Sequence, residues 1–262
     1  MPNCSHLLPS ARKRKWPADF QAAAAASLLA LDPYACSQNG EDVALHAQFF
    51  SQDVPGRGTY VEMGALDGYT YSNTISFEHA LQWDGVLIEA NPSLCTVLRR
   101  NRPHATRLCT AVSANYSVIP FDKGRWTSTF GEVAQMDQEH RQFHPRHGHA
   151  QTAVPSAPLG QLLRMAGLAS IDLFSLDVEG SEMKVLATMD WSLPVRVWCI
   201  EVSDERRPAI DALLTSKGYT HIRWRASGDY SFAGSDLWVQ SGAWTPKAWK
   251  WRQYLPLSQI QD

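Results

Sequence analysis

Short apolar runs with the length of β-strands alternate with helical stripes along most of the chain, and this alternation limits the fold more than any other feature. Seven runs carry the strand signal: Thr59–Met63, Val86–Ile88, Arg107–Val112, Ile171–Leu176, Val195–Ile200, Tyr219–Trp224 and Leu237–Val239. Between them, apolar side chains recur at helical spacing, as at Leu159, Leu162 and Leu163. Continuously apolar strands are typical of parallel sheets buried on both faces. The pattern predicts an α/β fold with a mostly parallel seven-stranded sheet and helices on both faces.

The composition fits such a domain and excludes several classes of protein. With 44% hydrophobic and 19% charged residues among 262, the chain has enough apolar side chains for a sizeable core. Its formal net charge of −2 gives no basic surface of the kind that nucleic-acid binders carry. No apolar run approaches the roughly 18 residues of a membrane-spanning helix. We therefore expect neither a nucleic-acid partner nor a transmembrane span.

The five cysteines do not form a metal-binding pattern, because no two of them have C-x-x-C spacing. Cys109 and Cys199 lie in apolar runs, where a buried free thiol is the usual state of a cysteine. The odd number of cysteines also predicts that there is no disulfide framework, which favours a reducing compartment.

Both ends of the chain and one internal stretch fall outside the alternating pattern. Residues 1–36 are predicted to be an N-terminal extension that is partly disordered or forms a short helix. Its basic Arg12–Lys15 and apolar Ala22–Leu31 also resemble a weak targeting signal. A cytoplasmic location is expected, with an organelle or the secretory pathway as the alternative. Residues 123–157 are interpreted as a lid loop and residues 241–262 as a Trp-rich tail.

The first predicted strand runs into a glycine-bearing turn, Val61–Gly68, and the polar run Ser72–Thr74 precedes the next helix. Glycine lets a ligand approach the backbone, and polar caps are typical of a helix start. The turn lacks the G-x-G-x-x-G spacing of dinucleotide sites, and the carboxylates of Glu62 and Asp67 would repel a pyrophosphate. They suit a ligand with an ammonium and a sulfonium group, such as S-adenosylmethionine. The alternative is an ordinary tight turn.

Acidic residues follow two further strands. Glu89 ends the second strand about twenty residues past the turn, where an acid can bind both hydroxyl groups of a ribose. Asp177 and Glu179 follow the fourth strand, at the edge where open α/β sheets bind ligands. These two acids would bind a substrate or act as a base; the alternative is that they cap the next helix.

Several segments resemble, in order, the FkbM family of methyltransferases: Ser37–Asp42, Val61–Gly68, Ser72–Thr74, Trp83–Pro92, Asp177–Glu182, Gly218–Tyr219 and Asp236–Val239. The resemblance covers residues 37–240 and implies an S-adenosylmethionine-dependent methyltransferase with the Rossmann-like class I fold. Known members methylate hydroxyl groups of sugars and polyketides. The activity that the resemblance implies is therefore O-methylation of a sugar, a glycoconjugate or another small alcohol, so that the partner is a small-molecule or glycan acceptor.

The chain departs from the usual pattern of this family at a few places. Ala90 stands where the family often has proline, and Ser235 precedes Asp236 where a second acid is common. The His-rich stretch 140–149 and the Trp-rich tail are not features of the family. We interpret the histidines as part of a polar loop rather than as metal ligands, because no cysteine or aspartate lies among them.

The resemblance, combined with the position of each residue at a strand end, predicts a candidate site. The expected catalytic acids are Asp177, Glu179 and Glu201. The expected cofactor contacts are Glu62, Gly64, Ala65, Asp67, Gly68, Asn73, Glu89, Ala90, Asn91, Ala111, Val112 and Asp177. The expected acceptor contacts are Gln38, Asp42 and Asp236. Asp236 begins its strand, so it reaches the same edge only if that strand runs antiparallel to the others.

Methyl transfer to an alcohol needs help, because an alcohol is a poor nucleophile at neutral pH. We favour a metal-free base, Asp177 or Glu179, since neighbouring carboxylates raise one another's pKa. Magnesium held by the same acids is the alternative, and no metal site is assigned. A catalytically silent fold that binds a partner protein is the alternative function, but it has no need of so many acids at strand ends. Nucleic-acid methylation is disfavoured by the lack of a basic surface and of an Asn/Asp-Pro-Pro-aromatic motif.

Overall fold

The computed structural model describes residues 20–51, 57–123, 150–222 and 235–242, together with Trp16. The strands within these ranges are β1 (Thr59–Met63), β2 (Asp84–Ile88), β3 (Thr106–Leu108), β4 (Ala111–Val112), β5 (Ser117–Lys123), β6 (Ala150–Ala157), β7 (Ile171–Leu176), β8 (Val195–Glu201), β9 (Tyr219–Ile222) and β10 (Ser235–Gln240). The helices are α1 (Gln21–Leu31), α2 (Glu41–Leu45), α3 (Ile75–His79), α4 (Pro92–Asn101), α5 (Leu159–Met165), α6 (Glu182–Leu186) and α7 (Arg207–Ser216). A π-helical segment, His46–Phe50, follows α2 directly.

Seven of the described strands form one sheet in the order β3-β2-β1-β7-β8-β10-β9. The pairs from β3 to β8 are parallel, whereas β10 runs antiparallel to both β8 and β9. The C-terminal ends of β1, β2, β7 and β8 therefore lie at one edge of the sheet, and the reversed β10 begins at that edge. The predicted α/β fold with a mostly parallel seven-stranded sheet is confirmed, and β10 runs in the antiparallel direction that Asp236 needs to reach this edge.

Both faces of this sheet are buried, which explains the continuously apolar strands. Neighbouring residues of β1 serve opposite cores, because successive side chains of a strand point to opposite faces. Tyr60 packs in one cluster with Phe77 and Leu173, and Val61 packs in the other with Phe174 and Trp198. The rings of Phe174 and Trp198 stack with their centroids 4.4 Å apart. The alternating side chains of the strands thus bury both faces of the sheet, one in each cluster.

The predicted N-terminal extension contributes a helix to the first of these cores. Ala24 and Leu31 of α1 are buried there, and Phe20 packs beside them. None of the helices in the described ranges is both long enough and apolar enough to cross a membrane. The basic Arg12–Lys15, the His-rich stretch 140–149 and the tail from residue 243 onward lie outside the described residues.

The region after β3 differs from the prediction. The sequence predicts one strand over Arg107–Val112, but the chain leaves the main sheet after Leu108, and β4 joins a second sheet of order β4-β6-β5. β5 and β6 pair antiparallel from Ser117–Ser156 to Lys123–Ala150. The predicted lid loop over residues 123–157 is therefore wrong for 150–157, which form β6. The apolar pattern did not indicate β6 because its residues are mostly small or polar; residues 124–149 lie outside the described residues.

The prediction that the chain lacks disulfides is wrong. Cys95 in α4 and Cys109 after β3 are bonded, with their Cα atoms 5.9 Å apart, so Cys109 is not a free thiol. Cys36 is disulfide-bonded as well. Cys199 is a buried free thiol, as predicted. The odd number of cysteines misleads because it requires only that at least one thiol is left over.

Replacing Cys95 with serine should lower the free energy of unfolding by about 3 kcal/mol, because the bond restricts the unfolded chain across a separation of 14 residues. Urea unfolding of the two proteins measures this difference. The denatured variant should also react with one thiol equivalent more than the denatured wild-type protein, since Cys109 is released. One equivalent fewer would show that Cys95 is a free thiol and would contradict the bond.

Candidate active site

A row of polar groups lines the C-terminal edge of the main sheet. The turn 64–68 follows β1, Glu89 follows β2 and Asp177 follows β7. Glu201 ends β8 and pairs in register with Ser235, the first residue of β10. Ligands of open α/β sheets bind outside this edge. The candidate residues that the sequence analysis took from separate strand ends are therefore neighbours along one edge.

Gly64 brings the turn after β1 into direct contact with the chain after β7. Its φ is 84°, and a Cβ atom at this position would lie 1.9 Å from the carbonyl oxygen of Asp177. The N–H of Gly64 donates to the carbonyl of Ile88 at 3.0 Å, and the N–H of Asp177 donates to the carbonyl of Met63 at 3.1 Å. Only glycine fits this approach. The candidate cofactor turn and the candidate catalytic acid are thus held relative to each other by backbone contacts.

Glu89 is oriented by backbone N–H groups at both of its carboxylate oxygens. Its Oε2 accepts the N–H of Leu66 at 2.8 Å and its Oε1 accepts the N–H of Asn91 at 2.7 Å. Leu66 has a φ of 50°, so the backbone is strained where its N–H reaches the carboxylate. Each carboxylate oxygen has a second lone pair, which leaves acceptors for two hydroxyl groups. Burial raises the pKa of Glu89 to about 7, although the amide contacts favour the charged form.

The other residues predicted at this side of the site surround Glu89. Ala90 and Asn91 follow it directly, and the side chain of Asn91 caps the start of α4. The N–H of Thr110 donates to the carbonyl of Glu89 at 3.1 Å, which places Ala111–Val112 of β4 beside the end of β2. A backbone hydrogen bond therefore joins the end of β2 to the segment that leads into β4.

Glu62 points into the protein. Its Oε1 accepts the N–H of Asn73 at 2.7 Å, and its Oε2 accepts the hydroxyl groups of Ser72 and Thr74 at 2.8 and 2.7 Å. The side-chain amide of Asn73 donates to the hydroxyl of Ser175 in β7 at 3.0 Å. The carboxylate that was expected to face a positively charged ligand thus holds the start of α3 against the sheet.

The second carboxylate of this turn also accepts hydrogen bonds from within the protein. Asp67 accepts the N–H groups of Tyr69 and Thr70 at 2.9 and 2.7 Å. Ala65 is buried, and Gly68 has a φ of 82°. Both carboxylates on which the sequence interpretation of this turn relied are therefore used within the protein, and backbone groups form the surface of the turn.

Asp177 and Glu201 form a carboxylate pair at the centre of the edge. Asp177 is exposed at the edge, but the surrounding protein keeps much of the water away from its carboxyl group. This burial, followed by the charge and hydrogen bond of Glu201, raises the pKa of Asp177 well above its usual range. The charge of Glu179 adds to the effect. Two carboxylates joined by a hydrogen bond share a proton, so the pair takes up a proton more readily than an isolated carboxylate does.

The turn that carries Glu179 is held by an acid that the sequence analysis did not select. Glu179 and Gly180 have φ values of 54° and 98°. Glu182 is fully buried, and its Oε1 accepts the N–H of Gly180 at 3.0 Å. Its Oε2 lies 3.4 Å from Nε of Arg206. Glu182 was part of the family resemblance, but only its burial identifies it as the anchor of this turn.

Asp236 is at the predicted edge, but it is engaged with two basic side chains. Its Oδ2 lies 2.5 Å from Nε of Arg207 and 3.0 Å from Nε2 of His221, and only 5% of the residue is exposed. Burial favours the neutral acid, but the hydrogen bonds of His221 and Arg207 outweigh it and hold the pKa of Asp236 below its usual range. The ring of His221 stacks on Trp238, with centroids 4.4 Å apart. Neither basic residue was expected from the sequence.

The segment before α2 contributes one exposed and one buried residue. Asp42 is fully buried and accepts the N–H groups of Cys36 and Ser37 at 3.0 and 3.4 Å. Burial raises the pKa of Asp42 to about 6. Ser37 pairs with Tyr71, which lies just after the turn 64–68, and Gln38 is exposed beside it. Of the three residues predicted to contact an acceptor, Gln38 is thus the one with a free surface.

The family model of the methyltransferase FkbM domain matches residues 62–220, more than half of the chain. Among curated proteins there is no match. Similar solved structures include the METTL16 methyltransferase domain, with 9% identity over 91% of this chain and 92% of that chain and a TM-score of 0.47. A putative O-methyltransferase from Klebsiella pneumoniae has 15% identity over 92% and 91%, with a TM-score of 0.37. PaMTH1 of Podospora anserina with bound S-adenosylhomocysteine has 9% identity over 88% and 92%, with a TM-score of 0.40.

Proposed function

The chain belongs to the FkbM methyltransferase family, and we propose that it transfers the methyl group of S-adenosylmethionine to a hydroxyl oxygen of a sugar, a glycoconjugate or another small alcohol. Family membership and the sheet order make it a methyltransferase with the Rossmann-like class I fold. The oxygen acceptor is the part that we propose. The observation that carries this proposal is the pair Asp177 and Glu201 at the open edge of the sheet.

This pair supports an oxygen acceptor because a hydroxyl group must lose its proton as the new C–O bond forms. A base is most effective when its pKa lies near the working pH. Burial and the Glu201 carboxylate raise the pKa of Asp177 well above its usual range, which makes it a stronger base than an ordinary carboxylate. We propose that Asp177 takes the proton from the acceptor hydroxyl and that Glu201 shares it. Glu179, on the strained turn two residues further on, is the second candidate base.

The proposed base acts without a metal ion. In residues 20–51, 57–123, 150–222 and 235–242, no three His, Cys, Asp or Glu side chains are grouped so that they would hold one. Magnesium bound by the same acids is the competing mechanism, because it would lower the pKa of a bound hydroxyl group. The two mechanisms differ in their response to a chelator.

The features of the edge fit S-adenosylmethionine, which supplies an electrophilic methyl group when bound. We propose that Glu89 binds the ribose hydroxyl groups and that Ala111–Val112 lie near the adenine. The backbone of the turn 64–68 would hold the methionine part. This placement is supported by the close approach that Gly64 allows and by the two amides that orient Glu89.

We propose that Gln38 contacts the acceptor, because it is exposed on a segment joined to Tyr71. Asp42 and Asp236 would act by holding their loops, since their oxygens accept hydrogen bonds inside the protein. An exposed amide is suited to the hydroxyl groups of a glycan or a small polar alcohol, because it both donates and accepts hydrogen bonds.

A transfer assay tests the proposed acceptor class. Wild-type protein and labelled S-adenosylmethionine are incubated with a panel of hydroxylated sugars and glycolipids, and products are identified by mass spectrometry and NMR. We expect a methyl ether on at least one acceptor, formed equally by the control variant Glu205→Gln, whose acid is exposed. Label that enters only amines would contradict an oxygen acceptor. Cofactor binding without transfer to any acceptor would favour a silent, partner-binding protein.

The disulfides change the compartment that we propose. The sequence favoured the cytoplasm, but Cys95, Cys109 and Cys36 are all disulfide-bonded. Disulfides of this kind persist in oxidising compartments. We therefore infer that the protein matures in an organelle lumen or the secretory pathway. Counting the free thiols of protein isolated from its own cells tests this, and reduced Cys95 and Cys109 would contradict it.

A further inference from the structure

The C-terminal end of α4 contacts the turn 64–68, and its side chains donate hydrogen bonds to carbonyl groups of that turn. The side-chain amide of Asn101 donates to the carbonyl of Asp67 at 2.7 Å. Nη1 of Arg102 donates to the carbonyl of Gly68 at 3.0 Å. Two adjacent residues thus donate to two adjacent carbonyl groups of the turn. The turn is therefore held by the end of a helix that starts at Pro92, three residues after Glu89.

Arg102 is bound by the protein on every side. None of its surface is exposed. Its Nε donates to Glu78 at 2.7 Å, and its Nη2 donates to the hydroxyl groups of Tyr60 and Thr74 at 3.0 and 3.2 Å. Nη1 also donates to the hydroxyl of Ser72 at 3.2 Å. A planar guanidinium with fixed donors can serve so many partners only in one orientation.

The same side chain touches the turn by packing and by charge. A Cβ atom on Gly68 would lie 2.7 Å from Cγ of Arg102 and 2.6 Å from Cδ1 of Leu98, so the aliphatic stem lies directly against the turn. Nη1 lies 3.7 Å from Oε2 of Glu62, the last acid of β1 before the turn. Arg102 therefore contacts both Glu62 and Gly68, on either side of the turn.

We propose that Arg102 is a positioning residue for the methionine part of the cofactor, acting through the backbone of the turn 64–68. This inference rests on the proposed placement of the cofactor along the edge. Glu89 accepts one N–H from Leu66 in the turn and a second from Asn91 outside it, and the N–H of Thr110 donates to the Glu89 carbonyl. A change at Arg102 should therefore affect the methionine part of the site more than the ribose and adenine part, which keeps its contacts with Asn91 and Thr110.

The experiment compares two ligands. S-adenosylhomocysteine contains the methionine part without the methyl group, and adenosine contains only the ribose and adenine. We expect Arg102→Lys, which keeps the charge and loses the planar fork, to weaken binding of S-adenosylhomocysteine about tenfold or more by calorimetry. Its affinity for adenosine should stay within about twofold of the wild-type value. If Arg102 only stabilised the fold, the ratio of the two affinities would not change.

Tyr60→Phe is the matched control, because it removes the hydrogen bonds of the Tyr60 hydroxyl with Arg102 and Glu78 but keeps the Nη1 contacts of Arg102 with Gly68 and Glu62. It should lower the melting temperature and leave the affinity ratio unchanged. Equal ratios for Arg102→Lys and Tyr60→Phe would overturn the proposal.

A milder variant covers the case in which Arg102→Lys does not fold. Asn101→Ala removes only the contact with the carbonyl of Asp67, and it should change the ratio in the same direction by a smaller factor. A ratio equal to that of the wild-type protein would overturn the proposal. If the wild-type protein bound neither ligand, the placement of the cofactor itself would be wrong, which is a different result from an unchanged ratio.

Discussion

Replacing Glu89 with alanine should weaken the binding of S-adenosylhomocysteine by more than about 100-fold. Each hydrogen bond between a hydroxyl group and a carboxylate contributes about 1.5–3 kcal/mol, and the ribose offers two such hydroxyl groups. The variant also loses the contacts that Glu89 makes with the N–H groups of Leu66 and Asn91. Calorimetry measures the affinity, and Glu205→Gln serves as the control at an exposed acid. An unchanged affinity for Glu89→Ala would rule out Glu89 as the ribose ligand.

The same residue predicts a pH dependence. Burial raises the pKa of Glu89 to about 7, so the carboxyl group is protonated below that pH and charged above it. Only the charged form accepts hydrogen bonds from two hydroxyl groups with both oxygens. Cofactor affinity should therefore fall about tenfold from about pH 8 to about pH 6, if the charged form alone binds. Glu89→Gln removes this carboxyl group, so the part of the pH dependence that comes from Glu89 should disappear. A wild-type affinity that rises at low pH would contradict the assignment.

The positions of the central strands along the chain could be predicted because their apolar runs are continuous. β1 and β7 begin and end where the sequence predicts, at Thr59–Met63 and Ile171–Leu176. β6 could not be found in the same way. Its residues include Pro155 and several small polar side chains, and it is stabilised by pairing with β5, whose residues precede it by a long stretch of chain. Hydrophobic pattern predicts strands that bury both faces, and it misses strands that depend on a partner distant in sequence.

The positions of the acids could also be predicted, but their partners could not. Strand ends place Glu89 and Asp177 at one edge, and the structure has them there. Glu62 also follows the pattern, yet its oxygens accept hydrogen bonds from residues ten to twelve positions later, so it faces inwards. A sequence shows where a carboxylate stands along a strand, but the donors that reach it are decided by the loop that follows.

The burial of Arg102 could have been predicted from helical spacing, although the sequence analysis did not select this residue. Arg99 and Arg100 are exposed, so a third arginine looks like part of the same basic surface. Helical spacing separates them, because Leu94, Leu98 and Arg102 follow one another at intervals of four and share the buried face of α4. A charged residue on an apolar stripe needs partners inside the protein. Its partners come from β1, α3 and the turn 64–68, which the spacing alone does not identify.

Replacing Asp177 with asparagine should lower kcat by about 10²–10⁴-fold, the range that general base catalysis contributes. Asparagine has a similar shape but cannot accept a proton. The affinity for S-adenosylhomocysteine should fall much less than kcat, because the contacts of Gly64 with this position involve the backbone of Asp177. Glu179→Gln is measured in parallel, since Glu179 is the second candidate. If both variants fold, bind the cofactor and methylate at the wild-type rate, neither acid is the base.

Glu201 allows the mechanism to be tested through the pH profile. A base works in its charged form, so kcat should rise with pH through the pKa of Asp177 and then level off. After burial, the charge and hydrogen bond of Glu201 are the largest causes that raise this pKa. Glu201→Gln removes that charge, so the pKa of Asp177 should fall and the rising limb of the profile should move to lower pH. A limb that stays in place, or moves to higher pH, would show that the pair does not supply the base.

The chelator experiment separates this mechanism from the competing one. With a metal-free base, EDTA should leave the wild-type rate unchanged, and the shift of the pH profile in Glu201→Gln should be the same with and without added magnesium. If magnesium were bound by these acids, EDTA would abolish activity and magnesium would restore it, because the metal ion would then lower the pKa of the acceptor hydroxyl. Glu201→Gln would in that case weaken the response to magnesium, since it removes one oxygen ligand with a full charge. The two mechanisms thus predict different responses of the wild-type protein to EDTA and of Glu201→Gln to magnesium, and Asp177 is present in both proteins.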